Sequence, residues 1–131
     1  MDTSNIASQY TTRLYVDSVC CWRCHQPNPV ILGFFNVLYD IDEPINAGII
    51  EQLAVPSYEQ LRLDLRIGTL KQRYSRTAGS SYWSQGCRDC DALFGEFLLR
   101  DQFIEAHAAG MLDMLVWPQP VILPVRLFTL G

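Results

Sequence analysis

The chain has 131 residues, of which 49% are apolar and 18% charged. That length suits one domain, which buries about two-thirds of its unfolded surface, and the composition excludes extensive disorder. Ten bases against fourteen acids leave a formal net charge of −4, and Lys71 is the only lysine, which counts against a basic surface built to track phosphates.

Residues 1–10 are polar and read as an arm. The stretch 1–15 carries neither the basic nor the apolar region of a secretory signal, and no apolar run approaches the roughly 18 residues of a membrane-spanning helix. A cytoplasmic location is expected, with reduced thiols. Thr11 to Val19 is rich in β-branched and aromatic residues and predicts a strand. Cys20 to Pro29 is a turn with two prolines. Val30 to Tyr39 predicts a second strand, apolar enough to be buried on both faces.

An acidic loop with Asp40, Asp42 and Glu43 opens the next stretch, and Ile49 to Ala54 suits a short helical turn. Ser57 and Gln60 are spaced as a capping box. The segment 58–71 carries both a strand-like alternation and helix formers; a short helix ending near Gly68 is the preferred reading. Residues 74–86 form a polar loop or hairpin bearing Tyr74, Tyr82 and Trp83. Ala92 to Leu99 is β-prone, and Asp101 is placed to cap a helix through Met111. Residues 112–131 hold Pro118, Pro120 and Pro124, which forbid a helix and leave an extended, proline-rich C-terminus.

Five cysteines remain, and four form two pairs: Cys21-Trp22-Arg23-Cys24 and Cys87-Arg88-Asp89-Cys90. A C-x-x-C turn puts two thiolates on one face, and two such knuckles supply the four soft tetrahedral ligands that zinc prefers. Cys20 is the spare. Zinc with four thiolates adds a net −2 to the formal charge, and Arg23 and Arg88 lie within the knuckles to offset it.

Three rival readings use the same residues. Cys21 to His25 matches the c-type haem pattern C-x-x-C-H, but the second pair is then unexplained. A thiol–disulfide pair wants its first cysteine at a helix N-terminus, whereas Pro27 and Asn28 follow the first pair. His25 as a ligand is unnecessary beside four cysteines. Four thiolates also close the shell, leaving no position for a reactive water. The deaminase, H-E-x-x-H, Walker and dinucleotide motifs are absent. His107 falls on the predicted helix and reads as structural, so no catalytic residue is assigned.

The stretch Cys21-Trp22-x-Cys24, then Tyr74-Ser75-x-Thr77 and Tyr82-Trp83 leading into Cys87-x-x-Cys90 and Gly95, resembles a loosely defined group of bacterial zinc-ribbon proteins of uncharacterised activity. The resemblance covers about a third of the chain. It implies zinc and a small ribbon sheet, and it implies no activity.

The expectation is a single α+β domain over 1–131. It is a small β-rich fold on a four-cysteine zinc ribbon, with a partly helical insertion at 40–70 between the knuckles. The expected function is a non-enzymatic protein-interaction module: an adaptor, an inhibitor or an immunity-type protein. Tyr74, Arg76, Tyr82, Trp83 and Arg88 are its candidate contact residues, with the acidic loop as a second patch; Tyr82 and Trp83 alternatively cover the metal. The other reading is a nucleic-acid-associated ribbon using Arg73, Arg76, Arg88 and the adjacent aromatics.

Overall fold

The computed structural model describes residues 9–129. Of the arm expected at 1–10, residues 1–8 lie outside the described residues, as do 130–131. Gln9 and Tyr10 open β1 (Gln9–Thr12). The expected strand over 11–19 is divided: β1 ends before Arg13, and β2 (Leu14–Cys20) begins after it. The division has a cause in pairing. β1 runs antiparallel to β8 (Val121–Pro124), whereas β2 pairs with β3 (Pro27–Asn36).

β3 is buried on both faces over most of its length, as its unbroken apolar run predicts. It is the middle strand of a sheet whose third member is β4 (Ile41–Pro44). β4 replaces most of the expected acidic loop. Asn36 makes the tight connection: its Oδ1 accepts from the amides of Leu38 and Tyr39 at 3.0 and 3.3 Å, the local turn chemistry that asparagine favours. A second sheet holds β5 (Lys71–Ser75), β6 (Ser80–Gly86) and the short β7 (Leu93–Phe94), with β6 in the middle.

Among the described residues, three α-helices cover these sheets. α1 (Ala47–Leu53) is capped by Asn46, whose Oδ1 accepts from the Ile49 amide at 3.0 Å. α2 (Glu59–Leu65) answers the ambiguity at 58–71 in favour of a helix, because Leu61 and Leu65, four apart, both turn inward while Leu63 is left exposed. It ends at Arg66 in the left-handed conformation rather than at Gly68. The capping box does not form: Ser57 lies in a three-ten turn, Pro56–Tyr58, and no side chain caps α2.

α3 (Glu96–Ala108) corrects the second half of the β-prone run expected at 92–99, of which Leu93–Phe94 form β7, and the expected helix start at Asp101. Gly95 interrupts the β-prone run. Leu99 and Phe103 then bury at helical spacing, and Glu96 favours the positive N-terminal end of the helix dipole. Gly33 on β3 admits this helix, since a Cβ there would lie 2.6 Å from the Phe103 ring. His107 stacks on Phe103 at 6.1 Å. The C-terminal segment 112–129 carries β8 between two three-ten turns, Leu112–Leu115 and Val125–Thr129. The architecture is α+β with one apolar core shared by the two three-stranded sheets and the β1–β8 pair.

The two sheets are joined by a side chain rather than a ladder. Gln85 of β6 is buried; its Oε1 accepts from the Ile31 amide and its Nε2 donates to the Ile31 carbonyl, both at 2.7 Å. The carboxamide thus stands in for a neighbouring peptide on β3. Replacing it strands a buried donor and a buried acceptor, each costing about 1–3 kcal/mol. Gln85→Ala is expected to lower unfolding stability by roughly 2–4 kcal/mol, read from urea melts of metal-loaded protein; a loss below about 1 kcal/mol would mean water replaces both bonds.

Candidate metal centre

The first knuckle leaves β2 and returns into β3; the second leaves β6 and returns into β7. They have the same backbone design. In the first, the Cys21 amide donates to the Gln26 carbonyl and the His25 amide donates to the Cys21 carbonyl, both at 2.9 Å. In the second, Cys87 pairs with Ala92 and Asp91 with Cys87 in the same way, again at 2.9 Å. His25 and Asp91 occupy equivalent places, and both adopt the left-handed conformation with φ of 64° and 65°. His25 is therefore the residue that reverses the chain after the second cysteine.

This geometry aims four sulfurs at one point. The ligand atoms of Cys21, Cys24, Cys87 and Cys90 all lie within 4.8 Å of one another. The Cys21–Cys90 and Cys24–Cys87 sulfurs are 3.6 and 3.5 Å apart. A zinc–sulfur bond of 2.3 Å in a tetrahedron implies sulfur–sulfur edges of about 3.8 Å, so the donor set fits a metal ion with little adjustment. These contacts join one knuckle to the other, and all five cysteines are free thiols. Cys21 and Cys87 are buried, Cys24 and Cys90 half-buried, and Cys20 is exposed at the end of β2.

Donors surround the sulfurs. Cys21 Sγ accepts from the amides of Arg23 and Cys24 at 3.4 and 3.5 Å, and Cys87 Sγ from the amide of Asp89 at 3.4 Å. The Cys87 thiol is lowered to about 6: burial opposes ionisation, but the Cys90 and Asp89 amides and the Asn28 side chain outweigh it. Cys24 goes the other way, to about 12. The Gln26 amide favours its thiolate, but burial and the adjacent sulfurs of Cys87, Cys90 and Cys21 prevail. Thiols this close do not all ionise unless a cation sits among them.

Asn28 is the residue that sequence reading missed. It is wholly buried at the start of β3. Its Nδ2 donates to the Gln26 carbonyl at 3.1 Å and to Cys87 Sγ at 3.3 Å, while its Oδ1 accepts from the Arg88 amide at 2.9 Å. One carboxamide therefore ties both knuckles together. Its signal in the sequence is a polar residue between Pro27 and Pro29, just before an apolar strand. Arg23 makes a second tie by donating to the Cys90 carbonyl.

The candidate contact residues are divided: Arg73, Tyr74 and Arg76 border one groove, and the others lie elsewhere. Arg73 is buried and serves the interior: it donates to Asp91 at 2.6 Å, to the Thr69 carbonyl at 2.8 Å and to the Ser84 carbonyl at 2.9 Å. Gly86 leaves room for it, since a Cβ there would lie 2.6 Å from the guanidinium. Lys71 meets the other oxygen of Asp91 at 2.5 Å, and the two cations hold that carboxyl below its ordinary range. Tyr82 and Trp83 are half-buried and line a small cavity against α1, with Ile50 and Phe94 and without any cysteine. Arg88 is exposed and reaches the Arg66 carbonyl at 3.4 Å. Tyr74 and Arg76 are exposed on and just beyond β5. Asp42 accepts from the Tyr15 hydroxyl and lies 3.8 Å from Arg13, and Glu43 accepts from Asn36 at 2.6 Å, so within the acidic patch only Asp40, in a turn, makes no such contact among the described residues. Burial first, and then the Asp42 hydrogen bond, raise the Tyr15 hydroxyl to about 12.

No family model, curated protein or solved structure matches the chain. No helix among the described residues is long and apolar enough to cross a membrane.

Two substitutions separate the roles of the knuckle residues. Asn28→Ala should weaken metal binding about 10- to 100-fold, as removal of a ligand's hydrogen-bond partner does. His25→Gly should keep the metal, because glycine accepts the left-handed turn freely. Competition with a chromophoric chelator measures both; loss of metal in His25→Gly would make the imidazole a ligand.

Proposed function

We propose that this is a non-enzymatic, zinc-stabilised protein-interaction module, of adaptor, inhibitor or immunity type. The observation that carries it is the convergence of four cysteine sulfurs from two knuckles to within 4.8 Å of one another. An all-thiolate tetrahedron suits zinc. With every position taken by protein, the ion has none left for a substrate or a reactive water, which supports a structural role. The metal would hold segments that the chain separates by more than sixty residues, and sites of this kind supply on the order of 10 kcal/mol of folding free energy.

The interaction role rests on what the fold leaves outside. Trp22 is 61% exposed and Tyr74 63% exposed, large aromatics of the kind that anchor interfaces. A nucleic-acid role has less to draw on: Arg73 is committed to the interior, and the formal net charge is −4 before any metal binds.

Elemental analysis of purified protein is expected to find one zinc per chain. Cys21→Ser and Cys87→Ser should each lose it together with the cooperative unfolding transition. Bound thiolates titrate below free thiols, whose ordinary value is about 8.5. The metal's contribution is therefore full above that value and lost as pH falls through the bound-state range, so the zinc-loaded protein should melt progressively earlier on acidification. A zinc-free protein with an unchanged melt would overturn the proposal.

A further inference from the structure

A groove of about 720 Å³ runs between the first knuckle and β5. Trp22 and Arg23 line one part, Ala92 and Leu93 another, and the consecutive residues from Lys71 to Thr77 a third. Its charge runs against that of the chain. Four of the ten bases border it, namely Arg23, Lys71, Arg73 and Arg76, with Asp91 as the one acid.

Two of those bases are occupied by Asp91, and Arg23 spends one nitrogen on the Cys90 carbonyl. Arg76 makes no ion pair among the described residues. Arg23 and Arg76 are both exposed, as are the two aromatics, so the accessible surface combines arginines with Trp22 and Tyr74. Trp22 is held in place, because its Nε1 donates to the Leu93 carbonyl at 2.8 Å. Its ring is thus presented to solvent at small entropic cost on binding.

β5 adds a directional element. It is an edge strand, with β6 its only strand neighbour among the described residues, so its outer row of backbone groups has no partner in the sheet. Edge strands of this kind accept extended chains, whose alternate side chains then meet the flanking surface.

We propose that this groove docks an acidic, extended segment of a partner protein, whose carboxylates meet Arg23 and Arg76 while its apolar side chains rest on Trp22 and Tyr74. The assignment deepens the interaction-module reading and rests on it. A peptide is favoured over a nucleic-acid strand for two reasons. The edge of β5 offers backbone pairing that a nucleotide chain cannot use, and a chain of net negative charge repels a long polyanion beyond the groove.

The test uses the full zinc-loaded chain and fluorescence anisotropy with three labelled probes: a short peptide of alternating Glu and Val, its Lys and Val counterpart, and an oligothymidylate. The acidic peptide should bind saturably and more weakly at high salt, and the basic peptide should not bind. Tyr74→Ala and Arg76→Glu should each weaken the acidic peptide about tenfold or more with zinc content unchanged. Absence of saturable binding, binding indifferent to both substitutions, or an equal or tighter oligothymidylate complex would each overturn the groove assignment. A protein ligand whose affinity survives both substitutions would also overturn it while leaving the interaction-module reading intact. A chain that binds no zinc would instead remove the broader reading.

Discussion

Everything in this molecule is arranged around the requirement that four sulfurs meet. Thiolates repel one another at this range, and burial adds to the penalty. The sulfurs of Cys21, Cys24, Cys87 and Cys90 nonetheless lie within 4.8 Å of each other. The cost is offset by amide donors aimed at Cys21 and Cys87 and, when a cation is bound, by the cation itself. The requirement determines the form of the surrounding chain. Each knuckle turns at a left-handed residue, and each opens into a strand, so the ends of the two sheets are brought together at the sulfurs.

The same economy of connection appears elsewhere. This small domain uses carboxamides where a larger one would use more backbone. Asn28 bridges the knuckles, Gln85 completes β3, and Asn36 closes the β3–β4 turn while donating to the Phe128 carbonyl at 2.7 Å. All three are buried and hydrogen-bonded, which is the condition under which a polar group is tolerated in a core. Around the second knuckle, Arg73 and Asp91 do comparable work with charge: a buried guanidinium reads three carbonyl or carboxylate partners and fixes the residue that turns the chain.

The cysteine set was legible because its spacing repeats, and spacing is a local property. The α+β class was legible for a similar reason: β3 is a continuous apolar run, and the stretch from Ile49 suits a helical turn. Of the β-prone run from Ala92 to Leu99 only Leu93 and Phe94 form a strand; the rest enters α3 because the deciding fact, burial of Leu99 and Phe103 on one side, depends on distant partners. Asp42 and Glu43 read as part of a contact patch, yet Tyr15, Arg13 and Asn36 engage them. The roles of Asn28 and Gln85 were not legible for the same reason: Asn28 shows only as a polar residue between two prolines, and a partner tens of positions away leaves no periodic trace. Trp22, inside the knuckle, was passed over in favour of Tyr82 and Trp83, which the helix α1 partly covers.

The pairing of β1 with β8 joins the two ends of the described chain, with Gln9 opposite Pro124. Contacts so remote in sequence slow the search for the native state, because the intervening chain must be ordered before they can form. An ion captured by the two knuckles would tie a loop of intermediate size first and shorten the effective distance left to close. On that view a bound ion would bear on how quickly the fold is reached as well as on how firmly it is held, by shortening the loop that β1 and β8 must close.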